Sequence, residues 1–183
     1  FEHRPWSTFG DADKLRPYNP LTRVPTLVLD GGDVLIESHA ILDYLDGTVG
    51  PGRAMFPATE PDRHRAIKVA SLATGFADKA VSMFYEKRLH SEVSDAWVAR
   101  CRTQIEATLA VLETDRASRT SRCWMGDTIG HADIAVACAL RFLTEAHPGL
   151  VDMARYPALT RHADAFEALP AFGAIQQVFI PPS

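Results

Sequence analysis

Residues 19–45 read NPLTRVPTLVLDGGDVLIESHAILDYL, and the fold turns on this stretch. Thr26–Leu29 and Val34–Ile36 are short apolar runs separated by Asp30, Gly31, Gly32 and Asp33. Two such runs around an Asp/Gly turn predict a β-hairpin. Ile41, Leu42 and Leu45 then recur at helical spacing. They predict a helix over His39–Leu45, with Ser38 as its N-cap and Gly47 as its stop. Pro25 opens the first strand, where a residue without an N–H is tolerated only facing an edge or a ligand. Taken alone it is a trans proline starting a surface strand, because cis is the minority form of X–Pro bonds. Were the bond cis, the N–H and C=O of Val24 would be free to pair with an extended peptide laid alongside. Glu37–Ser38 sits just before the helix, whose N-terminus offers unpaired N–H groups and a partial positive charge. Ser38 can add a hydroxyl and Glu37 can meet an ammonium, a pairing suited to an α-amino-acid head group. A plain Ser cap beside a solvated Glu accounts for the same two residues.

Outward from this stretch, Phe1–Trp6 reads as a strand and Asp11–Tyr18 as a short helical turn closed by Pro17 and Pro20. Gly47, Gly50, Pro51, Gly52, Pro57 and Pro61 mark a linker. Beyond Pro61 the chain is helical. Ile67, Ala70, Thr74, Ala77, Val81 and Phe84 predict the buried face of a first long helix. Val98, Cys101, Ile105, Leu109 and Leu112 do the same for a second. Ile134, Cys138 and Phe142 mark a third, and Leu159, Phe166 and Leu169 a fourth. In Gly126–Asp127–Thr128–Ile129–Gly130–His131–Ala132–Asp133–Ile134, Asp133 lies where a capping-box acid sits, three residues after Gly130. The expected organisation is an α/β domain over 1–46, a linker over 47–60 and an all-helical domain over 61–183.

Composition narrows the function classes. The 183 residues are 46% hydrophobic and 23% charged, the balance of a globular protein, which excludes collagen-like and disordered classes. The net charge is −4, with basic residues scattered, which argues against nucleic acid and against a polybasic membrane-surface protein. No apolar run approaches the ~20 residues of a membrane span. Cys101, Cys123 and Cys138 form no CxxC and leave one thiol unpaired, so a reducing, cytoplasmic setting is expected. Cys101 and Cys138 fall on apolar stripes and are expected as buried, inert thiols. The histidines form no HxxxH or Cys/His cluster, so no metal site is expected.

These segments together resemble the cytosolic glutathione transferase family. The resemblance is carried by Asn19–Pro20, by Arg23–Val24–Pro25–Thr26–Leu27 and by Val34 to Leu45. Gly126–Asp127 and Ala132–Asp133–Ile134 complete it. It implies a thioredoxin-like α/β N-terminal domain, incomplete here, an all-α C-terminal domain and a homodimer. It further implies a detoxifying transferase that binds glutathione as co-substrate and promotes attack of its thiolate on a small hydrophobic electrophile.

Carried over residue by residue, Val24 supplies the backbone pair for the cysteinyl part of glutathione, with Pro25 cis. Glu37 and Ser38 hold the γ-glutamyl end. Arg23 stands near the tripeptide, where a cation can assist a carboxylate. His39 occupies a position where related sequences often have Arg, and Gly130 one where they cap with Ser or Thr. Tyr85, with Phe84 and Arg88 on the same helix and Phe142 on the third, is expected to wall the electrophile. The family pattern begins with a strand and helix that precede everything here, and the chain opens on Phe1 rather than Met. A strand-plus-helix unit of roughly 25–30 residues is therefore expected before Phe1, carrying the Tyr, Ser or Cys that activates the thiol. The same resemblance leaves room for a glutathione-dependent reductase or isomerase, and for a non-catalytic relative that binds glutathione or only dimerises.

Overall fold

The two apolar runs of the opening stretch do pair. In the computed structural model, which describes residues 1–177 and 179–181, β1 (Thr26–Val28) and β2 (Val34–Ile36) form an antiparallel hairpin. Its register sets Thr26 opposite Ile36, Leu27 opposite Leu35 and Val28 opposite Val34. The turn closes with Leu29 N–H donating to the Asp33 carbonyl at 2.8 Å, and Gly32 takes the left-handed φ of +90° that the turn demands. The short helix α1 (Ala12–Leu15) precedes the hairpin and α2 (Ser38–Val49) follows it.

Three expectations for this region are corrected. Phe1–Trp6 has no strand partner among the described residues. Its polar groups close locally instead, with Arg4 bonded to Glu2 at 2.9 and 3.0 Å and Trp6 N–H to the Arg4 carbonyl at 2.8 Å. Ser38 is the first residue of α2 rather than its cap, a position filled by Glu37. The helix also runs through Gly47 to Val49 and stops at Gly50, which has φ +73° and donates its N–H to the Asp46 carbonyl at 3.2 Å. Gly50 is the better stop because it takes the left-handed conformation directly before Pro51.

The chain divides into two compact units, and the second begins at Met55. It is helical: α3 (Asp62–Leu89), α4 (Asp95–Ala117), α5 (His131–Ala146), a 3₁₀ turn at Met153–Arg155, α6 (Pro157–Glu167) and α7 (Pro170–Ile175). Helix α5 packs against α3 and α6, and α4 packs against both of those in turn. As expected, Cys101, Ile105, Leu109 and Leu112 of α4 and Leu159 and Phe166 of α6 are buried.

The faces of α3 and α5 are corrected. Helix α3 buries Ala66, Val69, Ala70, Ala73, Phe76, Ala80 and Met83, so only Ala70 of the predicted stripe lies fully inside. Helix α5 buries Val136, Ala137, Ala139, Leu140 and Leu143, leaving Ile134 and Phe142 half-buried and Cys138 exposed. The buried stripe of α3 lies one residue before the predicted one and mixes small with large side chains, Ala66, Ala73 and Ala80 alternating with Val69, Phe76 and Met83. At the head of α5, Asp133 Oδ2 accepts the Gly130 N–H at 2.8 Å, the half of a capping box that a glycine permits. The carboxylate of Glu113 on α4 likewise accepts the N–H groups of Ala158 and Leu159, both at 2.9 Å, and so caps α6.

Candidate functional site

The hairpin brings residues 23–25 and 37–38 together. The ladder ends at Thr26 opposite Ile36, which leaves residues 23–25 and 37–38 at the same end of the hairpin. The Val24–Pro25 bond is cis. Val24 is exposed, and neither its N–H nor its C=O has a hydrogen-bond partner among the described residues. Behind it the loop is tied to Asn19, which is only 1% exposed. Asn19 Nδ2 donates to the Arg23 carbonyl at 2.9 Å and to Thr26 Oγ1 at 3.2 Å, and its Oδ1 accepts the Leu21 N–H at 3.0 Å. Thr26 Oγ1 donates to the same Arg23 carbonyl at 2.9 Å.

Glu37 has φ 69° and ψ 129°, a left-handed backbone that costs a side-chain-bearing residue on the order of 1–3 kcal/mol. It is held there in part by its carbonyl, which accepts the Ile41 N–H at 3.1 Å and starts α2. Its Oε1 lies 3.3 Å from the Arg23 guanidinium, with both side chains about half exposed. Two residues each expected to meet a ligand therefore pair with each other. An exposed ion pair contributes only about 0–1 kcal/mol, so a zwitterionic head group competes with a weak contact. Ser38 presents an N–H and a hydroxyl that have no partner among the described residues, at the N-terminus of a 12-residue helix. Free donors, a free acceptor and a carboxylate thus share one edge. That edge can hold an extended peptide-like ligand carrying a carboxylate and an ammonium.

The four residues expected to wall an electrophile divide. Phe84 is half-buried, with ring centroids 6.1 Å from Tyr85, 6.1 Å from His147 and 5.4 Å from Phe179. Phe142 reaches the same group through Phe179, at 5.7 Å. Phe84 and Arg88 also line a cavity of about 480 Å³, together with Lys87, Arg102 and His147, whereas Tyr85 and Phe142 do not. Burial lowers the His147 pKa, and its Nε2 sits 2.8 Å from the Ala80 carbonyl. Desolvation raises the Cys123 and Cys138 thiols above their ordinary range, so neither is held as a ready thiolate. Among the described residues no three His, Cys, Asp or Glu side chains gather as metal ligands. Among the described residues no helix is long and apolar enough to cross a membrane.

Sequence reading missed Asn19 as the hub of the loop, Phe179 as the bridge between Phe84 and Phe142, and Lys87 and Arg102 on the cavity wall. Only Asn19 carried a local signal: an Asn before Pro20 favours a side-chain bond to the backbone two residues on.

Comparison with known proteins places this geometry. The glutathione S-transferase N-terminal domain model matches residues 1–53, and the C-terminal domain model matches residues 95–165. An uncharacterized GST-like protein of Escherichia coli K12, YibF, is 32% identical over 127 residues, covering 69% of this chain and 61% of the relative. The chain thus spans less than two thirds of that relative's length. A zeta-class glutathione S-transferase of Euphorbia esula is 31% identical over 166 residues, covering 84% of this chain and 67% of the relative. A glutathione transferase family member from Pseudomonas fluorescens Pf-5, solved with bound glutathione, superposes with a TM-score of 0.78. It is 32% identical and covers 93% of this chain and 80% of its own. The fold is therefore a thioredoxin-like α/β domain with a small sheet, followed in sequence by an all-helical domain. The chain belongs to the glutathione S-transferase family.

Proposed function

We propose that this protein is a glutathione transferase: it binds glutathione along the Val24–Ser38 edge and promotes attack of the thiolate on a small hydrophobic electrophile. The observation that carries the reading is that the unpartnered N–H and C=O of Val24 and the unpartnered N–H and hydroxyl of Ser38 lie at the same end of the hairpin. Val24 pairs with the cysteinyl backbone as a short added strand. The Ser38 N–H and hydroxyl hold the γ-glutamyl carboxylate, and Glu37 holds its ammonium. A free thiol is only a few per cent thiolate at pH 7, so lowering its pKa raises the reactive fraction. In the reaction the sulfur forms a bond to an electrophilic carbon, and the leaving group departs with its electron pair. Phe84, Tyr85, Arg88 and Phe142 wall the electrophile.

Calorimetric titration of the full chain with glutathione tests the binding half. Glu37→Gln is expected to weaken binding about tenfold, the ~1.4 kcal/mol that one charge-assisted contact is worth, and Ser38→Ala by a similar factor. Absence of binding at millimolar glutathione would remove the reading. For the second substrate, Phe84→Ala is expected to raise the KM for a nitroaryl halide about fivefold, leaving the KM for glutathione unchanged. Unaltered kinetics in both Phe84→Ala and Tyr85→Ala, for every electrophile tried, would take this face out of the site.

A further inference from the structure

We propose that Asn19 and Thr26 are positioning residues that aim the Val24 N–H at the bound tripeptide. The inference rests on the glutathione reading above. The carbonyl of Arg23 and the N–H of Val24 belong to one peptide unit, which is planar, with the two groups pointing in opposite directions when the bond is trans. Fixing the carbonyl therefore fixes where the N–H points. That carbonyl takes two donors from behind the loop, Asn19 Nδ2 and Thr26 Oγ1, each at 2.9 Å. Neither donor is itself loose. Asn19 Nδ2 also donates to Thr26 Oγ1 at 3.2 Å, closing a three-membered ring of hydrogen bonds around the Arg23 carbonyl. The Asn19 Oδ1 takes the Leu21 N–H, while its backbone N–H donates to the Leu15 carbonyl and its carbonyl accepts the Thr22 N–H. Through backbone and side chain together, Asn19 thus links the end of α1, the turn through Thr22 and the first residue of β1.

This arrangement leaves the Val24 N–H facing away from the buried amide, at an exposed residue and without a partner. An N–H held in place before ligand arrives loses little entropy on binding, whereas a peptide unit free to rotate pays that cost each time. Neither Asn19 nor Thr26 needs to touch the ligand for this.

Thr26→Val tests the idea with least disturbance. It keeps the side chain's shape and its β-branch while removing the hydroxyl from the ring. Calorimetry on the full chain is expected to give about a tenfold higher glutathione Kd at unchanged stoichiometry. Thr26→Ser, which restores the hydroxyl, should lie within about threefold of wild type. In steady state the KM for glutathione should rise with the Kd, and kcat at saturating glutathione should stay within about twofold. Asn19→Ala should reproduce the Kd change where enough folded protein is obtained; if it fails to fold, Thr26→Val decides the question. A Thr26→Val protein with wild-type Kd would overturn the inference, and so would one in which only the stoichiometry falls. Wild-type binding that Glu37→Gln weakens and Thr26→Val does not would overturn this inference alone. Wild type without glutathione affinity would overturn both readings.

Discussion

Asp133→Ala is expected to lower the unfolding free energy by about 3 kcal/mol and the melting temperature by roughly 10 °C. The Asp133 carboxylate is 1% exposed and accepts two backbone N–H groups, that of Trp124 at 2.7 Å and that of Gly130 at 2.8 Å. Removing it leaves both donors unsatisfied, one of them on a fully buried Trp124. Hydrogen bonds to a charged acceptor contribute about 1.5–3 kcal/mol each, and the desolvation cost of the carboxylate is recovered in part. That burial is what raises the Asp133 pKa, against the two backbone donors that lower it. Asp133→Asn keeps one acceptor oxygen and can serve only one of the two N–H groups, so about half the loss is expected. Urea midpoints for the three proteins at pH 7 check this. Equal midpoints for wild type and Asp133→Ala would show that the loop before α5 closes without the carboxylate.

Asp133 also shows which parts of the structure were legible in sequence. Local chemistry at fixed spacing was: the Asp/Gly turn of the hairpin, the acid three residues after Gly130, and Glu37–Ser38 at the head of α2. Each depends on groups a few residues apart, so the string itself holds the constraint. The buried face of α3 was not legible, because two apolar stripes offset by one residue satisfy the same three-four spacing. Helix packing buries Ala66, Val69, Ala73, Phe76, Ala80 and Met83, each one residue before a member of the predicted stripe, and leaves Ile67, Val81 and Phe84 on the flank. Spacing alone does not choose between two such stripes; the neighbour that packs on the helix does. The same holds in the site. Arg23 and Glu37 were each read against a ligand, and only three dimensions showed them facing one another across 3.3 Å. Asn19 stands out in the sequence only as part of Asn19–Pro20, yet its role comes from bonds to Arg23 and Thr26 that no spacing rule foretells.

Lowering the pH from 7 to 4 is expected to cost about 3 kcal/mol of stability through one buried residue, His162. The ring packs between Trp124 and Phe166, with centroids 5.1 and 4.5 Å away. Its side chain is 1% exposed, and neither ring nitrogen makes a hydrogen bond. Burial, aided by the nearby Arg116 charge, pushes its pKa from 6.5 down to about 4. A histidine depressed on folding binds its proton more readily in the unfolded chain. Its contribution is therefore fully present above pH 6.5 and is lost as the pH falls through that value to about 4. Asp133 works in the other direction. Its Oδ1 lies 3.5 Å from His162 Nε2, and its raised pKa means that protonation relieves a buried charge at the acid end. The steepest loss should accordingly fall between about pH 6 and 5, flattening below. Replacing His162 with Leu removes the titration at the cost of no hydrogen bond, so His162→Leu should match or exceed wild-type stability at pH 7. Across the acid range it should lose far less. Parallel stability–pH curves for the two proteins would show that some other group sets the acid limit.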